Sequence, residues 1–148
     1  MIRGSCLCGS VRYEISGKLS PIQYCHAQRC RKASGAAFAT EAAARVVDFA
    51  FTQGQELISS YDAPLLREPP AYRRNFCRQC GSPLPVPLEG TDYVVVQAGT
   101  LDGDVPAKVF RHIFTGQRAP WYEINDELPK FEARPPVHTR LPETKSDS

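Results

Sequence analysis

The chain reads as a mainly β domain with one short helical turn. Three observations carry that expectation. Runs of alternating apolar and polar residues, bounded by Gly and Pro, recur along the sequence. The clearest stretch of straight-chain helix formers is brief and stops at a glycine, Gly35. Cysteines come in close pairs that could close the chain around a metal ion, namely Cys6 with Cys8, Cys25 with Cys30, and Cys77 with Cys80.

Length and composition bound the rest. A chain of 148 residues is one ordinary domain and buries roughly 70% of its unfolded surface. With 42% apolar and 23% charged residues it is globular in composition. A formal charge of +2 argues against a dedicated nucleic-acid binder. The densest basic stretch, Arg67 to Arg78, reads more readily as a solvated face than as an anion contact. Met1-Ile2-Arg3-Gly4-Ser5 runs into cysteines without an apolar leader, and no long apolar span follows. The expected location is cytoplasmic, away from membranes. Thiols stay reduced there, so six cysteines suggest metal ligands before disulfides.

The elements follow in order. Val11-Arg12-Tyr13-Glu14-Ile15-Ser16 alternates and reads as a half-buried strand. Ile22-Gln23-Tyr24 is a short strand that delivers Cys25. Cys25 to Gly35 carries the helical turn. Glu41-Ala42-Ala43-Ala44-Arg45 is helical by propensity, although it lies between strand-like pieces and lacks a cap. Val46–Phe51 and Glu56–Tyr61 flank Gln53-Gly54 and predict a β-hairpin. Pro64 through Pro70 is a loop. Ala71 to Phe76 alternates into the Cys77 pair, and Pro83, Pro85 and Pro87 exclude a central strand beyond it. Tyr93 to Ala98 is the strongest strand, its apolar run predicting burial on both faces. Lys108 to Phe114 is another. A single domain over residues 1–138 is expected, with a frayed tail over 139–148.

Cys77-Arg78-Gln79-Cys80-Gly81 is the stretch around which the chain is organised. Two residues between cysteines set their sulfurs one metal bite apart. Gly81 can take positive φ and fold backbone N–H groups toward them. A tetrahedral site wants four donors, and Cys6-Leu7-Cys8-Gly9 supplies the other two. Cys6, Cys8, Cys77 and Cys80 therefore predict a closed zinc site that stabilises the fold and does no chemistry. Local disulfides or unrelated buried thiols are the alternatives. Cys25 and Cys30 are spaced more loosely, with His26 between them and Arg29, Arg31 and Lys32 around them. That positive charge favours thiolate, so an open metal site or a reactive dithiol is expected there, against two unliganded cysteines beside a basic turn.

The spaced motifs resemble one family. They are Gly4-Ser5-Cys6-Leu7-Cys8-Gly9 with Val11-Arg12-Tyr13, and Cys25-His26 through Cys30-Arg31-Lys32 with Ser34-Gly35. Phe76-Cys77-Arg78-Gln79-Cys80-Gly81-Ser82, Gly99-Thr100-Leu101-Asp102, His112-Ile113-Phe114 and Ala119-Pro120-Trp121-Tyr122 with Leu128-Pro129 complete the set. From Gly4 to Phe131 the chain resembles the glutathione-dependent formaldehyde-activating enzymes, a family that includes centromere protein V. The resemblance implies a β-tent fold of antiparallel sheets with two zinc ions. It places residues 40–45 in a strand. It implies a structural zinc on the positions of Cys6, Cys8, Cys77 and Cys80, and a catalytic zinc on a C-H-C-x-x-C stretch. Cys25 matches the first catalytic ligand and Cys30 the third, while the second falls on Ala27, which cannot ligate.

The implied activity is a zinc-dependent carbon–sulfur lyase acting on a small thiol adduct, glutathione-like, of an aldehyde such as formaldehyde. Cys25 and Cys30 are its candidate catalytic residues, and Arg31 and Lys32 would attract an anionic thiol. Because Ala27 removes a ligand, the second zinc site is degenerate. The alternative is a zinc-stapled binding module without catalysis, or a Cys25/Cys30 redox protein. His26 would replace the lost ligand only if its ring turns inward. His112 is expected to be a strand residue with a structural hydrogen bond, and Trp121 core or pocket wall.

Overall fold

In the computed structural model of the chain, residues 1–63 and 72–135 are described. The expected loop at 64–70 and tail at 139–148 lie outside the described residues. The first strands are β1 (Ile2–Ser5), β2 (Arg12–Ile15) and β3 (Ile22–Cys25). Helix α1 (Gln28–Ser34) follows, then β4 (Ala39–Arg45) and β5 (Phe49–Gln53). Next come β6 (Ile58–Ala63), β7 (Tyr72–Cys77), β8 (Pro83–Leu84) and β9 (Val86–Pro87). The last two are β10 (Tyr93–Gln97) and β11 (Val109–Ile113). This is the mainly β class with one short helix that the sequence predicts. No helix among the described residues is long and apolar enough to cross a membrane.

The chain divides into two compact units. One comprises Met1–Leu19 with Ala43–Pro106; the other begins with Ser20–Ala42 and resumes at Ala107. In the first unit, β1, β2 and β5 form an antiparallel sheet with Gly4 opposite Tyr13 and Tyr13 opposite Phe51. Alternation along β2 buries Tyr13 and Ile15 and leaves Arg12 outside. Tyr13 packs against Phe49 and Phe51, with ring centroids 5.6 and 6.4 Å away.

A second antiparallel sheet runs β6-β7-β8, with Ile58 opposite Cys77. Buried Asn75 ties it together. Its amide oxygen accepts from Ser60 Oγ at 2.7 Å, and its Nδ2 donates to the Pro85 carbonyl at 3.1 Å. The prolines sit in or beside the two-residue strands β8 and β9, each at the end of its sheet order, where a missing N–H costs least.

The hairpin expected around Gln53-Gly54 is not formed: β5 pairs with β2, and β6 pairs with β7. Gly54 serves a different need. It sits at φ +73, and a Cβ there would lie 2.1 Å from the Ser10 carbonyl oxygen. The close approach of two backbones takes the glycine, and a 3-10 turn at Gln55–Leu57 then redirects the chain. Burial along β10 also departs from expectation. Val94 and Val96 are buried, Val95 is half-buried and Tyr93 is 45% exposed. The run is apolar, but it has one buried face rather than two.

In the second unit, β3 lies between β4 and β11. It pairs antiparallel with β4, setting Gln23 opposite Glu41 and Cys25 opposite Ala39. It pairs parallel with β11, setting Tyr24 opposite His112. The parallel pair adds a mixed element to the antiparallel sheets expected. Gly35 ends α1 in the left-handed conformation, its N–H donating to the Arg31 carbonyl at 2.8 Å. The helical propensity of Glu41–Arg45 is overridden, and the segment is strand, as the resemblance implied. Sheet pairing wins because no cap supports a helix and small Ala39, Ala42 and Ala44 fit the buried positions.

Candidate metal centres

The first group belongs to the first unit. Two tight turns deliver its sulfurs. Gly9 N–H donates to the Cys6 carbonyl at 3.0 Å, and Gly81 N–H to the Cys77 carbonyl at 2.8 Å. Gly81 has φ +74, as the motif requires. The two turns are linked by Leu7 N–H, which donates to Ser82 Oγ at 2.8 Å. Cys6, Cys8, Cys77 and Cys80 then present sulfurs that all lie within 4.8 Å of one another, a group that could hold a metal ion. The Cys6–Cys8 and Cys8–Cys77 sulfur separations are 3.5 and 3.9 Å. A tetrahedral zinc with bonds of about 2.3 Å has sulfur edges of about 3.8 Å. The Cys6–Cys8 and Cys8–Cys77 edges lie close to that length.

Electrostatics around these sulfurs are uneven. Cys77 lies in an apolar cluster with Cys6, Val11 and Leu84, and burial pushes its thiol up to about 11. Cys80 is pushed down to about 5, chiefly by hydrogen bonding to the Ser82 side chain and then its backbone. Cys8 is lowered as well, first by the Ser10 side chain. Of the two donors at the rim, Cys80 is ready as a thiolate and Cys8 is shifted in the same direction, whereas Cys77 would surrender its proton to a metal. No open position remains in a four-thiolate set.

The second group belongs to the second unit. β3 ends at Cys25, α1 carries Cys30 back, and both are buried, with sulfurs 3.1 Å apart. All six cysteines are free thiols. The third member is Glu41 of β4, and its oxygen and the two sulfurs lie within 4.8 Å of one another, a set that could also hold a metal ion. Glu41 Oε1 is 3.8 Å from Cys30 Sγ, and Oε2 accepts from Gln23 Nε2 at 2.9 Å. Burial raises the Glu41 carboxyl, while the Gln23 hydrogen bond and the charges of Arg29 and Arg111 work against that rise.

Sequence reasoning missed Glu41. Its signal was present in the sheet rather than in any spacing. On adjacent antiparallel strands, Glu41 opposes Gln23, two residues before Cys25 on the same face, so Cys25 and Glu41 are diagonal neighbours.

The histidines do something else. His26 and His112 are fully buried, and neither belongs to the two ligand groups. His26 Nε2 lies 2.8 Å from His112 Nδ1, and His112 Nε2 lies 2.8 Å from Asp126 Oδ2. The Asp126 carboxylate accepts from His112 Nε2–H, and His112 Nδ1 and His26 Nε2 share one hydrogen bond. His26 Nδ1 is buried without a hydrogen-bond partner among the described residues. Burial first, and His112 second, push His26 down to about 4, so it is neutral at ordinary pH. The structural hydrogen bond expected of His112 is present. Trp121, expected in the core or a pocket wall, is instead 71% exposed. Its turn follows buried Ala119, which takes the interior position.

Fold and ligand groups together define a small mainly β protein with two thiol-rich clusters that could hold metal ions. Residues 1–117 match the family profile described as glutathione-dependent formaldehyde-activating enzyme, and the chain belongs to that family. The matched span contains both ligand groups. No curated protein matches. Among solved structures the chain is similar to a crystal structure of a Rhodobacter sphaeroides protein, with 24% identity and a TM-score of 0.54. The alignment covers 70% of this chain and 91% of that one. That likeness concerns the fold.

Proposed function

We propose that the protein is a zinc-dependent carbon–sulfur lyase acting on the adduct of a small thiol, glutathione-like, with an aldehyde such as formaldehyde. The observation that carries this reading is the second ligand group. Two buried sulfurs 3.1 Å apart, with a carboxylate in reach, stand inside the span matched by the family. The first group, Cys6, Cys8, Cys77 and Cys80, would hold a structural zinc. Cys25 and Cys30 would hold the catalytic one. When bound there, zinc would stabilise the deprotonated form of the substrate's thiol.

The chain's own residues supply the rest. Cys25 and Cys30 orient the metal position from β3 and α1. Arg31 and Lys32 lie in the last turn of α1, where they attract a carboxylate-bearing thiol. In the lyase direction the carbon–sulfur bond of the adduct breaks, the aldehyde leaves, and the adduct's hydroxyl proton ends on sulfur. In the forward direction the same bond forms and the proton returns to oxygen. Neither direction needs an oxidant. A reducing, cytoplasmic setting suits both clusters, because each works through free thiols.

The test is two-dimensional exchange NMR on glutathione and formaldehyde with zinc-replete protein. Faster interconversion of free and adduct forms, dependent on Cys25 and Cys30, is expected. No acceleration with full zinc content would sink the lyase. The 3.1 Å sulfur separation also favours a second reading, a Cys25–Cys30 redox pair. Under mild oxidation that reading requires loss of two hydrogens from the peptides bearing these cysteines, in protein lacking metal there.

A further inference from the structure

The family pattern leaves the second site one ligand short at Ala27, and β4 brings an acidic side chain to the same place. We propose that Glu41 is the third protein ligand of the second metal site, completing with Cys25 and Cys30 a two-thiolate, one-carboxylate set whose fourth position is open to the substrate's sulfur. This rests on the reading that Cys25 and Cys30 hold a metal.

Geometry supports it first. A zinc bonded to sulfur at about 2.3 Å and to carboxylate oxygen at about 2.1 Å sets those donors about 3.6 Å apart. Glu41 Oε1 and Cys30 Sγ are separated by 3.8 Å. That is long for a hydrogen bond from a thiol and close to the edge of a coordination tetrahedron. The two sulfurs, at 3.1 Å, must open by about 0.7 Å to reach the sulfur edge of a zinc tetrahedron.

Orientation is the second support. Gln23 Nε2 donates to Glu41 Oε2 at 2.9 Å, and Arg111 Nε donates to Gln23 Oε1 at 3.0 Å. This chain of donors fixes one carboxylate oxygen and turns the other toward Cys30. A ligating carboxylate held by an outer hydrogen bond is how protein metal sites are commonly built. Charge is the third support. Two thiolates and a carboxylate carry the same formal charge as three thiolates, so Glu41 restores what Ala27 removes. The harder oxygen donates less electron density than a thiolate, leaving a bound divalent ion a stronger Lewis acid toward an incoming thiol.

The experiment uses the full chain prepared without chelator, with zinc content by elemental analysis and affinity by chelator competition. Native protein is expected to hold two zinc ions. Glu41→Gln should weaken the second by more than about 100-fold, beyond the 10–100-fold typical of outer-shell changes, with an unchanged circular dichroism spectrum. Glu41→Cys should retain two ions. With cobalt in place of zinc it should also strengthen the thiolate-to-metal charge-transfer band. Two ions in native protein, one lost in Cys25→Ser, but full affinity in Glu41→Gln, would overturn this inference and leave the metal reading standing. One ion in native protein, unchanged by Cys25→Ser, overturns both.

Discussion

The two thiol-rich groups are built on different principles. The first draws four sulfurs from two tight turns, each turn supplying donors two or three residues apart, and its buried members sit among Val11 and Leu84. The second draws one donor each from β3, α1 and β4, and is held by the polar chain of Gln23, Glu41 and Arg111. Under the proposed function, the contrast is that between a staple and a reaction site. A closed set of four thiolates, two of them in an apolar cluster, stabilises and has no open position. A three-donor set wired to hydrogen bonds leaves room for a substrate and holds its metal less firmly.

The largest effect should come from breaking the staple. Cys8 and Cys77 are 69 positions apart, so one ion in the first group closes most of the first unit's chain into a loop. Structural zinc is worth about 10–16 kcal/mol in apparent binding, comparable with the whole stability of a domain, about 5–15 kcal/mol. Cys77→Ser is therefore expected to abolish cooperative thermal unfolding, whereas Cys30→Ser should keep it. Melting curves by circular dichroism decide the matter. A cooperative transition in Cys77→Ser at the native temperature would reduce the staple to a decoration.

The same contrast explains what the sequence discloses. Cys6-Leu7-Cys8-Gly9 and Cys77-Arg78-Gln79-Cys80-Gly81 are local, so spacing alone announces their pairing, and Gly81 indeed adopts positive φ. β2, β3, α1 and β11 were legible for the same reason, since period and punctuation are local properties. Glu41 was not, because it becomes a neighbour of Cys25 only through the β3–β4 register. Its own segment also favours helix by propensity, which would have turned it elsewhere. Gly54 misled in a related way. Gln-Gly between strand-like runs suggests a hairpin, yet the glycine answers to the distant Ser10 carbonyl. Trp121 lies on the surface despite its apolar ring, a position no local pattern fixes.

A smaller effect should appear with pH in the first unit. Tyr13 is buried in the first unit, where burial pushes its phenol up to about 12 and its hydroxyl hydrogen-bonds Thr100 at 2.6 Å. The unfolded phenol loses its proton near 10 while the folded one keeps it. Between pH 10 and 12 the native state binds more protons, so stability falls as pH rises through that window. The loss is at most about 2.7 kcal/mol for a shift of two pK units. Tyr13→Phe should cost about 1 kcal/mol at neutral pH through the lost hydrogen bond and flatten the alkaline decline. Denaturant melts at pH 8 and pH 11 give both numbers. An equal decline in the variant would assign the alkaline sensitivity to other groups.

The smallest effect tests the polar wiring of the second group. Gln23→Ala removes the donor that holds Glu41 Oε2 and unties Arg111 from the carboxylate. The side chain of Gln23 is not itself a ligand, so the second metal should remain but bind about 10–100-fold more weakly. The first metal and the thermal transition should hardly change. Chelator competition on the full chain measures this directly, set beside Glu41→Gln. If Gln23→Ala leaves the second affinity untouched, Glu41 needs no outer support and the site is less organised than its hydrogen bonds suggest. If it weakens binding as much as Glu41→Gln, orientation rather than ligation dominates. An intermediate value is what separates a ligand from the residue that aims it.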